Sequence, residues 1–293
     1  MDNNFFEALE KNGVKITPEQ INKIKNRIRE ITTYEPKIGF FGKTGVGKST
    51  LCNALFGKDL FEISDVESCT RNKQEMLLTL DNKKGIKLID VPGVGESEDR
   101  DTEYSNLYNN LIPELDIVLW LIKADDRAMA SDEIFYKNII RHHVNQGKLF
   151  FFVLNQVDKI EPFREWDSKN NEPSPNQFQN IHKKIDFLSN FFGIQASKII
   201  PVSANEKYNL TKLVDEIIYA LPKDKRITVA IPLKPENITK QTKEIIQKSY
   251  IEIVGEVVGK VIDRGSEVVM VAIKTAGDVI SKGIDTLKNF FGF

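Results

Sequence analysis

The sequence predicts an α/β protein in which a mostly parallel central sheet is covered by helices on both faces. Residues 36–222 alternate strand-like apolar runs with helix-like runs, the order that builds a parallel sheet with crossover helices. A glycine-rich loop at 42–49 separates a short apolar run from a helix-like run, and three polar motifs each follow another apolar run. Because ligands of such sheets bind outside the carboxyl ends of the strands, these motifs are expected to share one edge.

Residues 1–35 are predicted to form an N-terminal helical segment. Thr17-Pro18-Glu19-Gln20 has the residues of a capping box, with proline at the first helical position. The isoleucines that follow recur at steps of three and four residues, which gives one apolar stripe on the predicted helix: Ile21, Ile24, Ile28 and Ile31. The stripe must be buried against another element.

The loop at residues 42–49 matches the phosphate-binding pattern G-x-x-x-x-G-K-[ST] at every fixed position. Its glycines let backbone N–H groups point at phosphate oxygens, and the following helix adds positive potential. Lys48 is predicted to reach the β- and γ-phosphates, and Ser49 to bind Mg²⁺. The alternative is a chance glycine turn with a surface lysine. The residues expected to hold the phosphates are Gly42, Lys43, Thr44, Gly45, Val46, Gly47, Lys48, Ser49 and Thr50.

Three later motifs predict the base and the metal. Asp90-Val91-Pro92-Gly93 follows a strand-like run, and there Asp90 can hold Mg²⁺ through water while the Gly93 amide meets the γ-phosphate. In Asn155-Gln156-Val157-Asp158, the Asp158 carboxylate can accept the N1–H and the 2-amino group of guanine, which adenine does not offer. Ser203-Ala204 fits a backbone loop that receives guanine O6. Each motif alone is weak, but their order and strand-end placement predict binding of GTP and GDP.

Together these motifs resemble those of the Era-like GTPases of the translation-factor-related class. The segments 42–49, 90–93, 155–158 and 203–204 resemble the first, third, fourth and fifth guanine-nucleotide motifs, and Thr70 resembles the second. The chain is more closely similar to the bacterial YeeP/YfjP-type GTPase family. The stretches that carry this similarity are Gly42–Gly45, Asp90–Ser97, Leu119–Arg127 and Glu165–Asp167.

The resemblance covers roughly residues 36–222 and implies a magnesium-dependent switch that hydrolyses GTP to GDP and phosphate. It implies catalytic roles for Lys48, Thr70 and Gly93, and magnesium ligation by Ser49, Thr70 and Asp90. Thr70 also lies in a turn-rich stretch before a strand-like run, so it could instead simply begin that strand.

Three departures from the usual patterns bear on base binding and hydrolysis. Gln156 replaces the lysine whose stem normally covers the guanine plane, so base affinity is expected to fall. Val94 follows Gly93 where Ras-type proteins carry the glutamine that orients the attacking water. Gly45 stands where potassium-activated relatives carry asparagine. Hydrolysis is therefore expected to be slow, or to be completed by a nucleotide-dependent homodimer or a partner. Arg71 and Arg100 are the candidate charge donors.

Composition sets further bounds. The chain has 293 residues, 41% hydrophobic and 28% charged, enough for one α/β domain and a smaller attachment. A net charge of −1 gives no strong nucleic-acid signal. Two cysteines offer no disulfide framework, and the three histidines show no metal-ligand spacing. With no signal-peptide pattern and no long uncharged apolar run, a cytoplasmic location is the expectation.

Residues 223–293 are predicted to form a linker and a helical hairpin, since two apolar stripes flank Asp263–Ser266. One interpretation is a small helical domain built from both termini. The other is a membrane-surface or self-association segment that ends in Phe290–Phe293. Eight Lys/Arg against eight Asp/Glu between 235 and 293 weigh against membranes. The function could accordingly be a hydrolysing switch, or a slow nucleotide-gated scaffold that assembles on itself, a membrane or a ribosomal particle.

Overall fold

The structure is a computed structural model that describes residues 3–56, 74–79, 85–90, 98–262 and 266–280. Its centre is a six-stranded sheet in the order β2-β3-β1-β4-β5-β6. β2 is antiparallel to β3, and all other neighbours are parallel, as predicted. The strands are β1 Lys37–Phe41, β2 Gln74–Thr79, β3 Gly85–Asp90, β4 Ile117–Lys123, β5 Phe150–Asn155 and β6 Ile199–Pro201.

Helices connect the parallel strands and extend the chain at both ends. A π-helical turn, Tyr136–Ile140, joins α5 to α6. The α-helices in the described residues are α1 Asn3–Lys11, α2 Pro18–Thr32, α3 Lys48–Leu55, α4 Glu98–Leu111, α5 Ala130–Phe135, α6 Arg141–Asn145, α7 Pro175–Phe192, α8 Leu210–Ala220, α9 Lys223–Ala230, α10 Lys240–Ile262 and α11 Ser266–Ile280.

Strand β4 shows why the sheet is covered on both faces. Its side chains alternate between two apolar clusters, and every one from Ile117 to Ile122 is buried. Leu119 and Leu121 pack on the face that carries α3, α8 and the terminal helices, while Trp120 and Ile122 pack on the face that carries α4–α7. A strand buried on both faces reads as a continuous apolar run, which is the pattern the sequence shows.

Local signals set the helix ends that the sequence predicted. Thr17 and Ser174 both close complete capping boxes, with proline at the start of α2 and α7. Gly193 ends α7 in the left-handed conformation, at φ 66°. In the sequence, apolar residues of this segment recur at helical spacing, which predicts one buried stripe on α7: Phe178, Ile181, Ile185, Leu188 and Phe192. That prediction is wrong at Phe178, which is 49% exposed, and Gln177 is buried instead.

Asp116 connects several elements at the amino-terminal ends of β1 and β4. The sequence predicts a central strand at Asp116–Ile122, but β4 begins one residue later, at Ile117. Its carboxylate accepts hydrogen bonds from the Lys37 backbone N–H at 2.8 Å and from the Tyr34 hydroxyl at 2.9 Å, and it pairs with Lys225 of α9. Burial, followed by the Asp116 carboxylate, raises the pKa of the Tyr34 phenol. The α2–β1 linker, β4 and α9 are thereby joined.

The terminal helices pack together and continue the core of the sheet. α10 packs along α11 and against α2 and α9, and α1 contacts α11. Phe5 of α1, Leu51 of α3 and Ile253 of α10 belong to one apolar cluster. This agrees with a helical region built from both termini, while the predicted boundaries near residues 36 and 223 stay predictions. Within the described part of the chain, no helix is both long and apolar enough to span a membrane.

The α10–α11 contact depends on glycine. A Cβ at Gly255 would lie 2.4 Å from Cγ1 of Ile273, whereas a Cβ at Gly277 would meet no atom within 4 Å. We expect Gly255→Ala to lower the free energy of unfolding by roughly 1–3 kcal/mol through overpacking. Gly277→Ala, the matched control, should raise it by about 0.5–1 kcal/mol because alanine favours the helix. Urea unfolding of both variants measures this, and equal effects would show that the helices are not in tight contact.

Candidate functional site

The glycine-rich loop joins the carboxyl end of β1 to the start of α3. Gly42, Gly45 and Gly47 have φ values of 129°, 80° and 89°, in the region that side chains other than glycine rarely adopt. A Cβ at Gly42 would lie 2.4 Å from the Leu121 carbonyl oxygen, and one at Gly47 would lie 2.5 Å from Nδ2 of Asn155. Conformation and close contact therefore both require glycine at positions 42 and 47.

Lys48 opens α3 and folds back over the loop. Its ammonium donates to the carbonyl oxygens of Gly42 at 3.0 Å and Lys43 at 3.3 Å. Ser49 and Thr50 follow in the first helical turn and are half-buried. The positive end of the α3 dipole, an ammonium group and the loop lie together, which is an arrangement that favours an anion.

Asn155 brings three of the predicted motifs together. It ends β5, is 1% exposed, and donates from Nδ2 to the Val46 carbonyl oxygen at 2.9 Å. Its Oδ1 accepts the backbone N–H of Ala204 at 3.2 Å. One buried amide thus fixes the glycine loop, the end of β5 and the loop after β6 at the same edge of the sheet.

Asp158 lies one turn beyond Asn155 in a short 3₁₀ helix, Val157–Lys159. Its Oδ1 atom is buried and has no hydrogen-bond partner among the described residues. Its backbone carbonyl is held at 3.3 Å by the buried amide of Gln177. A buried carboxylate oxygen that lacks a partner is costly, so the position suits a ligand that brings N–H donors.

The loop after β6 is closed by a small bridge. Ser203 and Tyr208 exchange backbone hydrogen bonds of 3.2 and 3.0 Å, and the Ser203 hydroxyl accepts the Glu206 N–H at 3.2 Å. Ser203 and Ala204 are both buried beside Asn155. The predicted base-binding loop is therefore fixed by its own hydrogen bonds.

The 161–174 connection packs onto this loop. Trp166 meets Tyr208 edge to face, with the ring centroids 5.6 Å apart. The Glu165 carboxylate accepts from the Ser174 hydroxyl at 2.9 Å and from the Asn176 amide at 3.0 Å, which anchors the connection to the start of α7. The polar run at 168–175 favours a plain surface insertion over a functional loop when the sequence is considered alone. In the structure, Trp166 of this connection packs against the predicted base-binding loop.

The side chain of Lys43 turns away from the phosphate side of the loop. Its ammonium pairs with Asp132 at 2.7 Å and Asp126 at 3.1 Å, and the Trp120 indole donates to Asp132 at 3.0 Å. Burial alone would lower the pKa of Lys43, but the two carboxylates outweigh it and hold that pKa above its ordinary value. Lys43 can still contribute its backbone N–H. Sequence reasoning missed this cluster, although Trp120 and Asp126 lie in a stretch that it quoted.

The remaining predicted residues are placed only in part. Asp90 ends β3 beside Phe40 of β1, at the same edge as the loop. Thr70, Gly93 and Val94 lie outside the described residues, as does Arg71. Arg100 lies in the first turn of α4.

Comparison with known proteins agrees with this arrangement. The family model described as "50S ribosome-binding GTPase" matches residues 37–156. The chain is 41% identical to the uncharacterized protein YkfA of Escherichia coli K12 over 245 residues, which are 82% of this chain and 80% of YkfA. It is 39% identical to YfjP of the same organism over 241 residues, with coverage of 82% and 80%.

Era proteins are also similar. GTPase Era of Aquifex aeolicus is 31% identical over 208 residues, 69% of this chain and 61% of Era. A crystal structure of Aquifex aeolicus Era bound to GDP·AlF4⁻ is 25% identical, has a TM-score of 0.49, and covers 74% of this chain and 66% of that chain. YkfA and YfjP are about 40% identical to the chain over four fifths of its length, and the GTPase model matches the strands that carry the glycine loop and Asn155. The chain therefore belongs to the YeeP/YfjP-type family of Era-like P-loop GTPases.

Proposed function

We propose that the chain binds GTP and GDP with Mg²⁺ and hydrolyses GTP slowly, as a molecular switch. The observation that carries this proposal is the Asn155 amide, which joins the phosphate loop to the loop after β6, beside the unpartnered Oδ1 of Asp158. The phosphates would then accept hydrogen bonds from backbone N–H groups of the glycine loop. Guanine O6 would accept from the loop that contains Ala204, and the guanine 2-amino edge would donate to the Asp158 carboxylate.

The residues at this edge fit a triphosphate and its metal. The loop N–H groups and the Lys48 ammonium would hold the phosphates, and the Ser49 hydroxyl would ligate Mg²⁺. Asp90 and Thr70 are the further ligands that the sequence motifs predict. Bound Mg²⁺ would neutralise charge on the β- and γ-phosphate oxygens. The chain's own contribution is to fix these donors before the nucleotide arrives, as the glycine conformations and the Asn155 hydrogen bonds support.

Hydrolysis needs an oriented water, and the sequence lacks two side chains that orient or assist it in related GTPases. Valine at position 94 cannot orient water, and Gly45 offers no side chain for a potassium ion. We infer that a second copy or a partner completes the site. Guanidinium groups such as Arg71 or Arg100 are candidates to stabilise the developing charge, because that charge must be met by fixed cations.

Turnover against protein concentration tests this function. GTP hydrolysis should require Mg²⁺, be slow in dilute protein, and rise in specific activity as the protein is concentrated a hundredfold. Ser49→Ala should weaken the Mg²⁺ dependence of GTP binding, because its hydroxyl is the proposed ligand. A fast rate per molecule that is constant on dilution would exclude completion by a second copy. Turnover that survives Ser49→Ala and metal removal would contradict the assigned site.

A ribosomal particle is the second candidate partner. The net charge of −1 gives no strong nucleic-acid signal, but the matching family model is described as a 50S ribosome-binding GTPase, which supports this alternative. The α10–α11 hairpin argues less for a membrane surface, since Ala272, Ala276 and Val258 are buried in the core. Co-sedimentation with 50S particles, in GDP and in a GTP analogue, tests for a ribosomal partner. Self-association alone would leave the protein in the supernatant.

A further inference from the structure

Gln156 occupies an unusual conformation at the end of β5. It is left-handed, at φ 61°, although it is not glycine, and its Nε2 donates to the carbonyl oxygen of Gly45 at 3.1 Å. The side chain thus leaves the base loop and reaches the phosphate loop. Strained left-handed backbone persists where surrounding contacts over-determine it, and this hydrogen bond is one such contact.

Lys159 holds the other end of the same amide. Its Nζ donates to Oε1 of Gln156 at 2.7 Å, and its backbone N–H donates to the Gln156 carbonyl at 3.0 Å. The short 3₁₀ helix places the two residues one above the other. An ammonium on the amide oxygen polarises the amide, which strengthens the N–H donor directed at Gly45.

The same contact keeps Lys159 from neutralising Asp158. The Lys159 ammonium is exposed and donates to Gln156, although a half-buried carboxylate is its neighbour in sequence. The buried Oδ1 of Asp158 has no hydrogen-bond partner in the part of the chain that the structure describes. The carboxylate is left for a ligand, while the positive charge is held toward the phosphate loop.

We propose that Gln156 and Lys159 act as one positioning unit that takes the place of the single lysine usual at position 156. The amide joins the base loop to the phosphate loop, and Lys159 supplies the positive charge. This inference rests on the proposed function, because the unit acts on a bound guanine nucleotide. It extends the site to a lysine outside the recognised motif.

A double-mutant cycle on GDP affinity tests the unit. Lys159→Ala should raise the Kd of fluorescent GDP about fivefold at low salt, the upper size expected for an exposed charge contact, and the loss should shrink at high salt. Lys159→Arg should restore binding. In a Gln156→Lys background, where the new ammonium can reach Gly45 by itself, Lys159→Ala should change the Kd less than twofold. Lys183→Ala, an exposed lysine on α7, is the matched control and should have no effect.

The possible outcomes distinguish failure of the Gln156–Lys159 unit from failure of the proposed GTP and GDP binding. If the unmutated protein does not bind GDP, the proposed function fails. If it binds GDP and Lys159→Ala binds equally well, the function stands and the unit is wrong. An equal loss from Lys159→Ala in both backgrounds would show that Lys159 acts without Gln156, which also overturns the unit. Thermal unfolding without nucleotide should be unchanged in Lys159→Ala, since a structural role would move it.

Discussion

Lys48→Ala should abolish tight binding of GTP while leaving the fold intact. Charge-assisted hydrogen bonds to two phosphates are together worth roughly 3–4 kcal/mol, which corresponds to a loss of affinity of about 100- to 1,000-fold. Within the loop the ammonium donates to two backbone carbonyl oxygens, at 3.0 and 3.3 Å, and the fold is expected to survive the loss of these bonds. Titration calorimetry with a GTP analogue and urea unfolding measure the two effects separately.

Lys43, five positions earlier in the same loop, is the matched control because its ammonium forms an ion pair within the protein. It pairs with Asp132, whose side chain is 3% exposed. Lys43→Met would leave that buried carboxylate without the Lys43 counter-ion, so the free energy of unfolding should fall by roughly 3 kcal/mol. Nucleotide affinity should fall far less than in Lys48→Ala. If Lys43→Met lost affinity as strongly at unchanged stability, the assignment of the two lysines would be reversed.

Much of the fold was predictable because its signals are local. Capping boxes at Thr17 and Ser174 and the left-handed Gly193 depend on neighbours within one turn. The buried strands are apolar runs in the sequence, and the glycines of the loop mark positions with positive φ. Placement of the motifs at one edge followed from the rule for parallel sheets, and the structure brings the loop, Asn155 and Ala204 together there.

What the sequence could not give are contacts between distant residues. Phe178 was predicted to be buried on α7, but the polar Gln177 takes that place because its amide caps the carbonyls of Asp158 and Ile160 at 3.3 and 3.0 Å. Hydrophobic periodicity carries no sign of such a bond. The pairing of Lys43 with Asp132 is hidden for the same reason, since each residue alone reads as a surface charge.

Asp158→Ala should remove most of the preference for guanine over adenine nucleotides. The carboxylate can accept two N–H donors from guanine, and its Oδ1 has no competing partner among the described residues. Loss of that bidentate charged contact should cost roughly 2–3 kcal/mol, or about 30- to 150-fold in GDP affinity. Competition of fluorescent GDP with ADP, IDP and GDP measures the preference. Asp186→Asn, an exposed carboxylate change on α7, is the control and should leave it unaltered.

Asp158→Asn should gain affinity for a different nucleotide as well as lose affinity for GDP. Xanthine carries a carbonyl oxygen where guanine carries its 2-amino group, so the carboxamide of asparagine can donate to C2=O and accept from N1–H. The variant should therefore bind XDP better than GDP, the reverse of the unmutated protein. Unfolding alone cannot produce a reversed preference, which separates recognition from stability. Equal affinity of the unmutated protein for ATP and GTP would show instead that Asp158 does not read the base, and that the unpartnered oxygen meets some other donor.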